Sequence, residues 1–274
     1  MPLMNTAAFK KLSNNILTTR AVSVLGPRLY AAYLGSFIRH FPEILRSGNL
    51  HALDKALGQV AKRFRYRNTD VFLDCRFCDE QIQEESYAFG LAREIYIRDC
   101  YFRFHLPSTF ENAKVIVDLG TNRGAFSVLR AAQADFVLCV EATEAFVPVI
   151  KHNLQSNGCS RYAIETIYIG AGGKMEGSPL PMVTMAELLQ RHSLQHIDFL
   201  KMDIEGSEFT LFESAEWLEG VHALSLEVHR DFGDPNRILD TLTRHKFLCI
   251  MANENLDRVE NAGQANFIYA WKRE

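Results

Sequence analysis

Hydrophobic and polar positions along the chain follow two rhythms, and the change comes near Glu111. From about Phe9 to Arg67 the apolar residues recur at three- and four-residue spacing, which predicts helix in several pieces. Pro27 and Pro42 stand where such helices start or stop, and Gly48-Asn49 breaks the pattern. Over "NLHALDKALGQVAKRF", Leu50, Leu53, Leu57, Val60 and Phe64 share one face of an amphipathic helix. Its simplest partner is the rest of the protein; a membrane surface or another protein is the sharper alternative. "TDVFLDCRF" predicts a short strand, and "DEQIQEESYAFGLAREIYIRDCYF" predicts mostly helix.

Beyond Glu111 short apolar runs alternate with helical stretches. Strands are predicted at "KVIVDLG", "DFVLCVE", "RYAIETIYIG", "IDFLKMDIEG" and "VHALSLEVH". Helices are predicted from Ala125 to Gln133, from Glu144 to about Asn157, and at "TMAELLQRH", "SEFTLFESAEWL" and "NRILDTLTRH". Such alternation predicts an α/β fold with a parallel sheet wound on both faces. The last two strands, "KFLCIMA" and "ANFIYAWK", are joined by "NENLDRVENAGQ", which has no helical stripe. With no crossover helix between them, they are expected to pair antiparallel.

The first turn of this sheet, "VIVDLGTNRGAFS", carries chemistry. Ligands of such folds sit beyond the carboxyl ends of the strands. A phosphate loop is excluded, since no Lys follows Gly124, and the dinucleotide fingerprint lacks its middle glycine. S-adenosylmethionine is the third candidate. Asp118 at the strand end can accept from its ammonium, Gly120 lets a ligand approach the main chain, and N–H groups at the helix start can meet its carboxylate. Glu141 ends the next strand, 141 − 120 = 21 residues after Gly120, where a carboxylate can accept both ribose hydroxyls. A tight strand–helix turn capped by Asp118 in an unrelated sheet protein is the bland alternative.

A second constellation lies in "DFLKMDIEGSE". Lys201, Asp203, Glu205 and Glu208 cluster at the end of the fourth strand, where burial without partners would be costly. Acids in a first helical turn also suit the helix dipole, which explains Glu205 and Glu208 without invoking function. The next strand ends in "LEVH", placing Glu227 and His229 at the same edge. A histidine there could take a proton from an acceptor hydroxyl.

Charge and cysteines change this picture modestly. The chain has 274 residues, 47% hydrophobic and 23% charged, enough for a substantial core. Residues 1–68 hold eleven Lys/Arg against Glu43 and Asp54, 11 − 2 = +9, whereas residues 69–274 carry 19 − 31 = −12. Three segments are therefore expected: a basic helical extension over 1–68, a lead-in over 69–110 and a catalytic domain over 111–274. The acidic larger part argues against a nucleic-acid partner. No apolar run approaches the ~18 residues of a membrane span, and no secretory pattern opens the sequence, so a cytoplasmic location is expected. Cys75 and Cys78 form a CxxC, but no second pair or histidine at zinc spacing accompanies it, so no metal site is assigned there.

"VDLGTNRGAFS", "VEATEAFVPVIKHNLQSNG", "DFLKMDIEGSE" and "LEVH", in this order and at this spacing, resemble the FkbM-type methyltransferases, a class I S-adenosylmethionine-dependent family. The resemblance covers roughly residues 94–272. It implies a seven-stranded Rossmann-like sheet with a reversed last strand. It implies methyl transfer, usually to a hydroxyl of a sugar or secondary metabolite. Asp118, Gly120, Asn122, Gly124 and Glu141 are then cofactor residues, and Lys201, Asp203, Glu205, Glu208 and His229 line the acceptor side. Arg123 stands where the family commonly has an apolar residue, and Ala142 where it has Pro. The basic first 68 residues fall outside the resemblance.

A neutral hydroxyl needs help to act as a nucleophile. His229 or Asp203 as base is the first expectation, and Mg²⁺ held by Asp203 and neighbouring carboxylates the second. N-methylation of a peptide amide, a nicotinamide oxidoreductase and a non-catalytic cofactor-binding module are the alternatives. A homodimer, and contact of the basic segment with an anionic partner, stay open.

Overall fold

The computed structural model describes residues 18–58, 60–74, 88–174 and 178–273. Cys75 and Cys78 lie outside them. The chain divides into two compact units.

The first unit comprises residues up to Cys100 with Arg123–Leu129 and Pro148–Gly158. It opens with α1 (Thr19–Ser47), capped by the Thr18 hydroxyl, which accepts from the Ala21 N–H. Gly26 (φ 68°, ψ 165°) breaks α1 just ahead of Pro27, so two helices abut there, as the sequence predicted. Pro42, expected at a boundary, instead lies inside the helix. Its missing N–H would have served the carbonyl of Ile38, a residue on the exposed side, where the loss is least costly. Gly48 ends α1 in the left-handed region, its N–H donating to the Ile44 carbonyl at 2.8 Å.

Helix α2 (His51–Gly58) is shorter than predicted, because the chain from Arg63 becomes strand. β1 (Arg63–Tyr66) and β2 (Thr69–Phe72) form an antiparallel hairpin. Next, α3 (Ala88–Ala92) continues as a π-helical turn over Arg93–Arg98. Two buried acids hold this unit together. Asp54 takes a bidentate pair from Arg93, at 3.0 and 2.8 Å. Asp99 accepts from the Tyr66 hydroxyl and pairs with Arg20 at 2.9 Å.

The second unit holds the large sheet and most of the remaining chain. After α4 (Pro107–Glu111) come β3 (Val115–Leu119) and β4 (Phe136–Val140). Helix α5 (Val147–Ser156) falls mostly in the first unit, and β5 (Tyr162–Glu165) resumes the sheet. Three short strands, β6 (Tyr168–Ile169), β7 (Gly173–Lys174) and β8 (Pro181–Val183), make a separate small sheet. Then follow α6 (Met185–Arg191), β9 (Ile197–Met202), α7 (Glu208–Leu211), β10 (Val221–Glu227), α8 (Pro235–Arg244), β11 (Phe247–Ala252), β12 (Arg258–Val259) and β13 (Phe267–Lys272).

The large sheet runs β12-β11-β13-β10-β9-β3-β4-β5. Strands β10, β9, β3, β4 and β5 are parallel, while β13 lies antiparallel to both β10 and β11. This is the expected Rossmann-like α/β architecture with a reversed last strand. The two-residue β12 adds an eighth strand to the seven expected. Val117, Leu119, Leu138, Leu200, Met202 and Leu224 are buried in its apolar core.

Two predicted helices shrink. Between Ala125 and Gln133 only a 3-10 turn, Ser127–Arg130, forms. The Tyr96 hydroxyl takes the Ala125 carbonyl at 2.6 Å, and the Leu129 N–H turns to Phe126 instead. "SEFTLFESAEWL" yields the single turn α7, followed by a 3-10 turn over Glu216–Gly220. There the Trp217 indole N–H donates to the Leu211 carbonyl at 3.3 Å, a contact that ends the helix.

Candidate active site

Parallel pairing of β3 with β9 sets Asp118 directly opposite Lys201. Both are buried, and Lys201 Nζ lies 3.3 Å from Asp118 Oδ1. Nζ also donates to the Gly120 carbonyl at 2.5 Å and the Leu119 carbonyl at 3.3 Å, and lies 3.8 Å from Asp203 Oδ2. Burial pushes the Lys201 pKa down, but the Asp118 and Asp203 carboxylates outweigh that, and the net direction is up. Lys201 is thus an enclosed, charged tie between two strand ends. The ammonium beside Asp118 in this structure is the chain's own.

The turn after β3 is shaped by its own backbone. Gly120 has φ 73°, and a Cβ there would stand 1.7 Å from the Asp203 carbonyl oxygen. That glycine therefore makes room for the β9 turn rather than for a ligand alone. The Gly120 and Thr121 N–H groups both donate to the Val140 carbonyl, and the Thr121 hydroxyl donates to the Asp118 carbonyl at 2.8 Å. Asn122 is left-handed (φ 52°) and its N–H donates to Glu141 Oε2 at 2.7 Å. The other Glu141 oxygen accepts from the Thr143 N–H at 2.8 Å. Each carboxylate oxygen keeps a lone pair for a further donor. Gly124 (φ 82°) counts with the first unit, where its absent Cβ would touch Ile150. With only a 3-10 turn behind the loop, no helix N-terminus is present to meet a carboxylate, contrary to expectation.

The turn after β9 meets the end of β10. Glu208, fully buried, accepts the His229 N–H at 2.8 Å on Oε1, which also lies 3.1 Å from His229 Nδ1. Its Oε2 accepts the Gly206 N–H at 2.8 Å. Held this way, the imidazole points Nε2 to Glu205 Oε2 at 3.3 Å and Asp203 Oδ1 at 3.8 Å. The hydrogen bond to Glu208 pushes the His229 pKa up to about 9; burial opposes this, and the charges of Glu208, Asp203 and Glu205 add to it. Burial would raise the Glu208 pKa, but its bonds to His229 prevail and lower it. Glu205 adopts φ 52° and its side chain is 85% exposed. Among the described residues, Asp203, Glu205 and His229 form a group whose ligand atoms lie within 4.8 Å of one another.

The structure thus gathers Asp118, Gly120, Asn122, Glu141, Lys201, Asp203, Glu205, Glu208 and His229 at one edge of the second unit's sheet. Tyr101 was missed: its hydroxyl donates to Asp203 Oδ2 at 3.0 Å, and its ring lies 5.4 Å from Lys201 Nζ. It comes from a stretch with no motif, so no local sequence signal marks it. Phe232 was missed too; its ring fills the space where a Cβ on Gly206 would stand.

A family model described as "Methyltransferase FkbM domain" matches residues 150–249, a stretch that includes Lys201, Asp203, Glu205, Glu208 and His229. The resemblance read from the sequence is borne out over those residues, and the match supports an S-adenosylmethionine-dependent methyltransferase. Similar solved structures include a precorrin-6y C5,15-methyltransferase from Geobacter metallireducens GS-15, at 12% identity and TM-score 0.39, covering 72% of this chain and 92% of that one. Another is the Streptococcus mutans protein SMU.1697c in complex with SAH, at 10% identity and TM-score 0.41, covering 58% and 89%. A third is an rRNA methylase from Streptococcus thermophilus, at 9% identity and TM-score 0.39, covering 59% and 87%. No curated protein matches the chain.

Proposed function

We propose that the chain transfers a methyl group from S-adenosylmethionine to a hydroxyl oxygen, on a sugar or secondary metabolite, with His229 as the base. The observation that carries this is the His229 imidazole, fixed by buried Glu208 and aimed at the mouth where Asp203 stands. The acceptor pair after β4 fits the cofactor: Glu141 has one remaining lone pair on each oxygen to accept from a diol. Gly120 and Asn122 would shape the turn beside it. When bound, S-adenosylmethionine supplies an electrophilic methyl group on a sulfonium.

The residues of this chain supply alignment and proton transfer. Lys201 and Asp118 hold the two turns in register. Tyr101 orients Asp203 through its hydroxyl. Glu208 orients His229 and stabilises the imidazolium that forms once the acceptor's proton moves to Nε2. At neutral pH most of the histidine is already protonated, so the neutral, active form grows with alkalinity.

Mg²⁺ among Asp203, Glu205 and His229 is the second reading, favoured by the convergence of their ligand atoms. Unchanged turnover after treatment with EDTA would dismiss it. Peptide N-methylation differs in the labelled product, and a binding module would retain the cofactor without turnover. The deciding experiment incubates the protein with methyl-labelled donor and an extract of its own cell. A labelled ether is the expected product; a labelled amide, or none with the nucleoside bound, overturns the proposal.

A further inference from the structure

The first unit presents a face that the methyl-transfer site does not use. In α1, Ile38 is 73% exposed, Leu45 49% and Phe41 37%. At about 100° per residue, Leu34, Ile38, Phe41 and Leu45 fall within roughly 60° of one another. Arg28, Arg39 and Arg46, all exposed, form a column roughly 80° beyond Ile38. The small residues Ala31 and Gly35 lie between stripe and column. The single acid of α1, Glu43, sits beyond the arginines, away from the stripe.

A solvated helix has no use for three large apolar side chains in a row, whereas isolated ones would be unremarkable. A stripe of this kind flanked by arginines is the pattern of a helix lying in the plane of an anionic interface. No helix among the described residues is long and apolar enough to cross a membrane. Charge points the same way: residues 1–68 carry +9 in a chain of net charge −3. The arginine column continues into a cavity of about 640 Å³ at the Gly26 kink, lined by Leu25, Arg28, Val60, Lys62, Arg63 and Phe72. Its lining is mostly apolar and includes Arg28, Lys62 and Arg63, a chemistry that suits a phosphate-bearing amphiphile better than a polar solute.

We infer that α1 docks the protein onto an anionic phospholipid surface, with Ile38, Phe41 and Leu45 inserted and Arg28, Arg39 and Arg46 at the headgroups. The inference is independent of the methyl-transfer reading.

The test is flotation of the full chain with vesicles of phosphatidylcholine alone, and with phosphatidylglycerol added. Binding to the second and not the first is expected, weakening as salt rises. Each arginine near such a surface contributes about 1 kcal/mol, or about fivefold, so Arg39→Ala with Arg46→Ala should weaken partitioning about 25-fold. Ile38→Asp should abolish it, with circular dichroism unchanged because the site is exposed. Failure to float with phosphatidylglycerol overturns the inference, as does binding that Ile38→Asp leaves intact. A dimer in sedimentation that Ile38→Asp dissociates, without vesicle binding, assigns the stripe to a second copy and overturns it equally.

Discussion

Replacing Glu208 with Gln tests the link from geometry to chemistry. His229 titrates near 9 because Glu208 holds its Nδ1, with Asp203 and Glu205 facing Nε2. At pH 7 such a group is neutral in about 1% of molecules. Glu208→Gln removes the nearest charge and leaves Asp203 and Glu205, so the pKa should fall toward the ordinary histidine value and the neutral fraction at pH 7 should rise. The gain in free base outweighs the weaker basicity of each imidazole, so the rate at pH 7 should rise, by about tenfold at most. The substitution also has a structural cost. Glu208 accepts from Gly206 on one oxygen and from His229 on the other, and an amide can keep only one of these as acceptor. One buried N–H is then left without a partner, at about 1–3 kcal/mol. NMR titration of the imidazole gives the pKa directly, and the pH dependence of label transfer gives the kinetic counterpart. A wild-type His229 titrating near its ordinary value, or an inflection that Glu208→Gln does not move, would refute the reasoning.

Other outcomes follow from the same geometry. Glu141→Ala removes the acceptor for the Asn122 and Thr143 N–H groups, and calorimetry should show affinity for S-adenosylhomocysteine down by roughly 100-fold, about 3 kcal/mol. Gly120→Ala drives a Cβ into the Asp203 carbonyl, and a thermal melt should show a loss of at least about 2 kcal/mol or no folded protein. His229 has a raised pKa, so its pair with Glu208 stabilises the fold fully below the ordinary histidine value of about 6.5 and loses that contribution as pH rises through about 9. Glu208 has a lowered pKa, so its contribution is present above the ordinary carboxylate range and is lost on acidification below it. Denaturation midpoints between pH 6 and 10 should therefore decline in wild type and stay flatter in His229→Gln.

The sheet was legible because its signals are local and periodic. Apolar runs such as "VIVDL" and "DFLKM" read as buried strands, and the acid at each strand end marked the site edge. The missing helix stripe between the last strands foretold their antiparallel pairing. The helix after β3 was not legible, since its shortening depends on Tyr96, far away in sequence, taking the Ala125 carbonyl. The same holds for Tyr101 at Asp203. Lys201 and Asp118 were each picked out as site residues, but only strand register reveals that they face one another. The sequence suggested that Gly120 admits a ligand; the structure places the chain's own carbonyl in that space. Side chains that act across the sheet leave no trace in spacing along the chain.

The contact between Gly120 and the Asp203 carbonyl bears on how such an enzyme could diversify. The loops after β3 and β9, which the proposed function assigns to donor and acceptor, are wedged main chain against main chain and riveted by one lysine. Neither could be exchanged alone without jamming the other, so a graft intended to change the acceptor would have to carry both loops, and Lys201 with them, as one cassette. Variation in acceptor preference would then be expected to concentrate in side chains such as Glu205 that project from the rim and touch none of this lock.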